Sequence, residues 1–264
     1  MEFRPCIDIH NGSVKQIVGG SLKDAGSRAV ENFVSEQDAS FFANLYRENG
    51  IKGGHVIMLN PVGSQFYEAT KAQAFSALAA FPGGLQIGGG IMPDNAETFL
   101  EAGASHVIVT SYVFKDGKIN YDNLKKMVDA VGKDRLVLDL SCRRTREGYF
   151  VVTDRWQKLT REKVDAALLD RLADCCDEFL VHAVDVEGRA DGIEEQLAGM
   201  LGSWGKRPVT YAGGIHSYED LELIRLLGKG HLNVTVGSAL DMFGGMLEWR
   251  KVLEICTKNC ASFE

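Results

Sequence analysis

The chain has 264 residues, of which 45% are hydrophobic and 25% are charged; these ordinary globular values exclude a disordered or fibrous protein. Its net charge of −7, from 29 Lys and Arg against 36 Asp and Glu, gives no general positive field for nucleic acid or an anionic membrane. We therefore expect neither nucleic acid nor a membrane as a partner. We also expect a small-molecule partner and a monomeric state.

The cysteines indicate reduced thiols. The six of them, at positions 6, 142, 175, 176, 256 and 260, form no CxxC pair and no spacing with His that is typical of zinc. The opening MEFRPC shows no signal-peptide pattern, and no apolar run reaches the 18 residues of a membrane span. These features predict a cytoplasmic location and no metal, although an organellar protein that has lost a transit segment has the same appearance.

Short apolar runs rich in β-forming residues alternate with amphipathic stretches along the whole chain. The predicted strands are eight in number, at 3–9, 55–59, 85–88, 106–110, 135–140, 178–183, 208–212 and 232–237. Helical patterns such as 38–50, 93–104 and 217–230 lie between them. Eight repeats of strand and helix predict one (β/α)8 barrel domain over residues 1–264. An open doubly wound sheet is the alternative, but its G-x-G-x-x-G fingerprint is missing after the first strand.

The two halves of the chain resemble each other. Asp8 and Asp139 are 131 residues apart, and each lies in an apolar strand. Two further pairs keep nearly the same period, namely IGGGI at 87–91 with YAGGI at 211–215, and VIVTS at 107–111 with VTVGS at 234–238. The common order predicts a duplicated half-barrel, with halves at about 1–131 and 132–264.

A carboxylate inside an apolar strand such as CIDIHNG (6–12) needs either hydrogen-bond partners or a chemical role. Units 1 and 5 of an eight-fold barrel face each other, so Asp8 and Asp139 are expected on opposite sides of the mouth. Either residue alone suits loop anchoring as well as catalysis. The matched positions favour an acid–base pair whose two pKa values differ.

The glycine turns after strands 3 and 7 indicate phosphate binding, because a chain without Cβ lets backbone amides approach an anion at a helix start. An isolated Gly-Gly is more often a simple turn or cap. Here each turn is joined by a hydroxyl-bearing turn after the next strand. The two expected phosphate sites are Gly89, Gly90, Thr110 and Ser111, and Gly213, Gly214, Gly237 and Ser238. They predict an elongated ligand with a phosphate at each end.

The segment SCRRTREGYFVVTDRWQKLT (141–160) is unusually long for a loop between a barrel strand and its helix. We interpret it as a lid that offers Arg143 to phosphate and Trp156 for stacking on a planar ring; a solvated hairpin is the alternative. His182 and Asp185 follow in strand 6 and its loop. A His–Asp pair is conceivable there, but a core-facing or capping role is favoured for each.

With these residues in view, the chain resembles the histidine-biosynthesis barrel family, and within it the isomerase branch of eukaryotic type. The similarity covers essentially the whole chain and is carried by CIDIHNGSVKQIVGG, LQIGGGI, HVIVTSYVF, LVLDLSCR, FLVHAVDVEG, YAGGI and VGSALDMFGG.

The resemblance implies an Amadori rearrangement of an aminoaldose to an aminoketose, without metal or cofactor. Asp8 matches the family's base, Asp139 its acid, and the two glycine and hydroxyl sets its phosphate sites. In the strand-6 loop, however, HAVDVEGRADG (182–192) lacks the Thr of bacterial relatives, and Ala183 or a nearby residue stands there.

Two other functions stay open. The sister cyclase of the family shares both Asp positions but needs ammonia from a glutaminase partner, and its TSMDRDG-like run is absent from this chain. A non-catalytic phosphosugar-binding barrel would use the phosphate sites alone.

Overall fold

The computed structural model describes residues 1–17, 31–189 and 192–258. Its centre is a sheet of parallel strands: β1 (Cys6–His10), β2 (Gly54–Met58), β3 (Leu85–Gly88), β4 (Val107–Val109), β5 (Leu136–Asp139), β6 (Glu178–His182), β7 (Val209–Ala212) and β8 (Leu232–Thr235). Each pairs with the next along the chain. A parallel bridge between Phe3 and Val234 joins the start of the chain to β8 and closes the barrel.

Helices alternate with these strands: α1 (Ala39–Glu48), α2 (Tyr67–Ala80), α3 (Pro93–Glu101), α4 (Tyr121–Val131), α5 (Ala166–Leu172), α6 (Glu195–Trp204), α7 (Tyr218–Leu227) and α8 (Trp249–Thr257). One helix follows each strand, so the predicted (β/α)8 barrel is confirmed. Two helices start as expected, since the side chains of Asp38 and Ser217 accept backbone N–H bonds in the first turns of α1 and α7. In contrast, α2 and α3 begin after Phe66 and Met92.

Each barrel strand has two different faces. Ile7 and Ile9 of β1 are fully buried in the large core between the strands and the helices. The barrel interior holds a separate small cluster of Ile57, Ile108, Val137 and Leu180. Side chains alternate along a strand, so Asp8 points into the barrel between two isoleucines that point outwards. This alternation explains why an apolar strand carries a carboxylate.

A buried polar network lies at the amino-terminal ends of the strands, away from the mouth. Glu178, the first residue of β6, accepts hydrogen bonds from Arg4, from Gln86 at 2.9 Å and from Thr210. The Glu178 side chain is 4% exposed, so its charge depends on these partners. We infer that this network stabilises the barrel rather than serving its chemistry.

Additional strands extend from the opposite end. Ser13–Ile17 and Glu31–Val34 pair antiparallel after β1, and Phe114–Lys115 pairs with Lys118–Ile119 after β4. The long segment after β5 forms an antiparallel sheet of Cys142–Thr145, Gly148–Thr153 and Lys158–Lys163, which we call the β5 sheet. Short 3₁₀ turns occur at Lys133–Arg135 and Asp241–Phe243. In the described ranges, no helix is long and apolar enough to cross a membrane.

Candidate active site

Both predicted carboxylates lie at the mouth of the barrel. Asp139 is the last residue of β5, and Asp8 lies in β1, four strands away around the eight-stranded barrel. His182, the last residue of β6, connects them: its Nδ1 is 3.7 Å from Asp139 Oδ1, and its charge also acts on Asp8. The structure therefore brings the two acids together around one imidazole.

Asp139 is held by donors on both oxygens. Its Oδ1 accepts from the Ser141 backbone N–H at 2.8 Å and from the Ser141 hydroxyl at 2.7 Å, while Oδ2 accepts from the Thr110 hydroxyl at 3.1 Å. Burial alone raises the pKa of Asp139, but His182 and Ser141 outweigh burial and hold this pKa below its usual value. Asp139 is consequently ionised in the free protein.

Asp8 has the opposite environment. Burial, followed by the charge of Glu187, raises the pKa of Asp8 to about 7, although His182 and Cys6 partly oppose this rise. A carboxylate with a pKa near neutrality is suited to accept a proton at working pH. The two acids thus have pKa values shifted in opposite directions, as acid–base chemistry on one substrate requires.

The sequence favoured a core-facing or capping role for His182; its side chain is mostly buried, at 12% exposure, but it also lines the cavity at the mouth. The ring lines the mouth, with the ring centroid of His55 at 5.9 Å and that of Trp156 at 5.7 Å. Burial lowers the pKa of His182, but Asp139, Glu187 and Asp8 outweigh burial and raise it above its ordinary value. Its acidic partner is Asp139, whereas Asp185 instead accepts from the Arg144 backbone N–H at 2.8 Å.

The phosphate site predicted after β7 and β8 forms a real cavity. It has a volume of about 290 Å³, and its lining includes Asp8, His182 and all four predicted residues: Gly213, Gly214, Gly237 and Ser238. Gly214 has φ +78°, and a Cβ there would lie 2.0 Å from the Gly192 carbonyl oxygen. Only glycine allows the backbone of this turn to lie so close to the Gly192 carbonyl, and without a Cβ the backbone amides of the turn stay accessible from the cavity.

The site predicted after β3 and β4 is arranged differently. Gly89 and Gly90 have φ +100° and +74°, as an anion-binding turn needs. Thr110, however, donates to Asp139, and the Ser111 hydroxyl accepts from the Asp154 backbone N–H at 3.2 Å. These four residues do not line the cavity of the β7–β8 side. Their phosphate role stays a prediction.

The β5 sheet and its connections reach over this half of the mouth. Asp154, Arg155 and Trp156 all have left-handed φ values, of +51°, +56° and +67°, which side chains rarely adopt. This backbone places the Trp156 ring against His182. Arg143 lies with its Nε 3.7 Å from Asp185 Oδ1, so its predicted contact with phosphate requires this ion pair to open.

Several residues of the site carried no sequence signal. Cys6 and His55 are direct neighbours in the register of β1 and β2. The Cys6 sulfur, a His55 ring nitrogen and an Asp8 carboxylate oxygen all lie within 4.8 Å of one another, which is close enough to hold a metal ion. Burial raises the pKa of the Cys6 thiol, and burial lowers the pKa of His55 to about 3. Both are therefore neutral around Asp8. Their proximity depends on strand register, which local sequence does not reveal.

Comparison with known proteins agrees with this architecture. The model of the family described as "Histidine biosynthesis protein" matches residues 2–247. The chain belongs to this family.

Similar proteins are named as one enzyme of the pathway, 1-(5-phosphoribosyl)-5-((5-phosphoribosylamino)methylideneamino)imidazole-4-carboxamide isomerase. The chloroplastic isomerase of Medicago truncatula is 53% identical over 96% of this chain and 81% of its own length. The isomerase of Yarrowia lipolytica is 48% identical over 92% of this chain and 93% of its own. That of Saccharomyces cerevisiae is 42% identical over 93% and 94%.

Proposed function

We propose that the chain is the histidine-pathway isomerase that converts phosphoribosylformimino-aminoimidazole carboxamide ribonucleotide (ProFAR) to its aminoketose by an Amadori rearrangement. One observation carries the proposal: Asp8 and Asp139, with pKa values shifted in opposite directions, meet across the mouth beside a glycine-lined cavity. The 42–53% identity to isomerases of this name supports the same substrate.

The reaction needs one proton donor and one base. Asp139 serves as the acid; because it is ionised in the free protein, it first takes up the proton that it passes to the ribose ring oxygen. The C1–O bond breaks as the substrate nitrogen forms C=N. Asp8 then removes the C2 proton, and its electrons form C1=C2 as the nitrogen becomes neutral. Loss of the C2 hydroxyl proton and protonation of C1 complete the aminoketose. The steps balance within the substrate, so no redox partner is needed.

The phosphates fix the ribose between these groups. One phosphate occupies the cavity formed by Gly213, Gly214, Gly237 and Ser238, where backbone amides hold a dianion within an acidic protein. The other binds at Gly89 and Gly90 with Thr110 and Ser111. Since Ser111 now accepts from Asp154, we expect the β5 sheet to shift as this phosphate binds. Arg143 then turns to the phosphate, and Trp156 stacks on the imidazole ring.

An ammonia-free assay separates this function from the sister cyclase. Purified protein is mixed with ProFAR alone, and the absorbance change of the aminoketose product is followed. Conversion without ammonia or a glutaminase supports the isomerase. No conversion of ProFAR, together with ammonia-dependent use of the aminoketose, would select the cyclase.

A non-catalytic phosphosugar-binding protein is tested with Asp8→Asn and Asp139→Asn. Each change should lower kcat at least ~10²-fold, a typical general acid–base contribution, with little change in ligand affinity by calorimetry. Unchanged turnover in both variants would remove the proposed roles.

The remaining features follow from the same proposal. The enzyme needs no cofactor, acts as a monomer on a small bisphosphorylated molecule, binds neither nucleic acid nor membrane, and works in the cytoplasm. The Medicago truncatula relative is named as chloroplastic, so cell fractionation with an antibody against the chain decides the compartment.

A further inference from the structure

The proposed acid lacks a proton of its own. Asp139 accepts from Ser141 N–H and Ser141 O–H on one oxygen and from Thr110 O–H on the other. The Ser141 backbone N–H can only donate, and His182 and Ser141 hold the pKa of Asp139 below its usual value, so Asp139 rests without a proton. The geometry is that of a carboxylate, so a proton for the ribose oxygen has to reach Asp139 from a neighbour.

A chain of hydrogen-bonding atoms leads to such a neighbour. The Ser141 hydroxyl is 2.7 Å from Asp139 Oδ1 and 3.3 Å from His182 Nδ1. Ser141 is fully buried, and the side chain of His182 is 12% exposed, so bulk water does not replace the link. With Nδ1–H donating to Ser141 Oγ and Ser141 O–H donating to Asp139, each hydrogen points towards the carboxylate.

The surroundings of His182 favour its charged form from several elements. Asp139 faces it from β5, Asp8 from β1 and Glu187 from its own loop. On the other side, His55 of β2 and Trp156 of the β5 sheet contribute neutral rings. These aromatic contacts fix the imidazole plane, and the acidic groups compensate its positive charge.

We propose that His182 stores the proton that opens the ribose ring and passes it through the Ser141 hydroxyl to Asp139. The step balances: Nδ1 releases its proton to Ser141 Oγ as Ser141 releases its own to Asp139 Oδ1, and Asp139 protonates the ring oxygen. His182 ends neutral and regains a proton when the C2 hydroxyl of the substrate loses its own in the last step. In this role His182 and Ser141 are positioning residues that act through Asp139. The inference rests on the proposed function and deepens it.

Two variants interrupt the relay with little change of shape. His182→Asn keeps an N–H near the position of Nδ1 but does not titrate, and Ser141→Ala removes the hydroxyl while its backbone N–H still holds Asp139. We expect kcat to fall ~10²-fold in His182→Asn, and the double variant to be no slower, because both residues serve one step. The fall of kcat/KM at high pH, which reports loss of the His182 proton, should disappear in His182→Asn. Additive losses, or an unchanged basic limb, would overturn the relay.

The matched control is Thr110→Val, which removes the other hydroxyl on Asp139 and leaves the relay intact. Its pH profile should keep the basic limb, whatever its kcat. In His182→Ala, added imidazole should restore part of the rate; no rescue, with the fold intact by circular dichroism, counts against a stored proton.

A measurement on the free protein separates this inference from the proposed function. Nitrogen-15 NMR of the histidine ring should show His182 protonated at neutral pH and its titration shifted in Ser141→Ala. A neutral His182 would overturn the relay even in an active isomerase. A protein that does not convert ProFAR would instead refute the proposed function.

Discussion

The opposite pKa shifts of the two acids make a prediction about stability that needs no substrate. A carboxyl group whose pKa is raised on folding stabilises the protein below its unfolded pKa, and this stability is lost as the pH rises through the folded value. For Asp8 the window extends from 3.8 to about 7. The full penalty above this window is about 4 kcal/mol, since each pKa unit corresponds to 1.36 kcal/mol. Roughly 2–3 kcal/mol of it develops between pH 5 and pH 8.

Asp8→Asn removes the ionisable group, so the variant should gain stability over the wild type as pH rises. Between pH 5 and pH 8 the difference in Tm between the variant and the wild type should increase by about 5–10 °C for a chain of this size. Differential scanning calorimetry at the two pH values measures it.

Asp139→Asn supplies the contrast. The pKa of Asp139 is lowered on folding because its hydrogen bonds and His182 outweigh burial. Its stability contribution is therefore present above the unfolded pKa and is lost only as the pH falls. Asp139→Asn should destabilise the protein at pH 8 by about 1.5–3 kcal/mol, the value of hydrogen bonds to a charged group. Asp129→Asn is the control: its carboxylate is 61% exposed on α4 and pairs with Lys125, so stability should change by about 0.5 kcal/mol or less. Shifts of the same sign for Asp8→Asn and Asp139→Asn at pH 8 would refute the reasoning.

Three further variants test the phosphate cavity and the amino-terminal end of the barrel. Gly214→Ala and Gly83→Ala both place alanine at positive φ, which costs about 1–2 kcal/mol. At Gly214 the new Cβ would also lie 2.0 Å from a backbone oxygen, whereas at Gly83 it would meet open space. We expect Gly214→Ala to raise the KM for ProFAR by ~10²-fold and Gly83→Ala to leave it unchanged; equal KM values in steady-state kinetics would contradict the cavity's role. Glu178→Gln leaves Arg4 without its buried counter-ion. The free energy of unfolding, measured with denaturant, should therefore fall by about 3–5 kcal/mol with kcat unchanged. An unaltered unfolding midpoint would show that the network contributes little to stability.

The fold could be predicted because its signals are local. Apolar runs and their regular spacing predicted eight strands in the correct order. The matched positions of Asp8 and Asp139 in two of these strands placed both acids at the mouth. The duplication of two half-barrels stays a prediction, since matched positions alone do not establish a common origin.

The partners of these acids were not predictable in the same way. His182 meets Asp139 because β6 pairs with β5 in the register that sets Leu180 opposite Asp139. Thr110 was assigned to phosphate, yet in the free protein it donates to Asp139, a contact fixed by the pairing of β4 with β5. The left-handed backbone at Trp156 also has no sequence signal, because glycine and Asn usually mark such turns.

The most direct test of the central claim is a crystal structure of Asp8→Asn with ProFAR bound. We predict the two side chains on opposite faces of the ribose, Asp139 within hydrogen-bond distance of the ring oxygen, and one phosphate at each glycine turn. A ribose that Asp139 does not reach, or a ligand held at only one of its phosphates, would contradict the proposed isomerase chemistry.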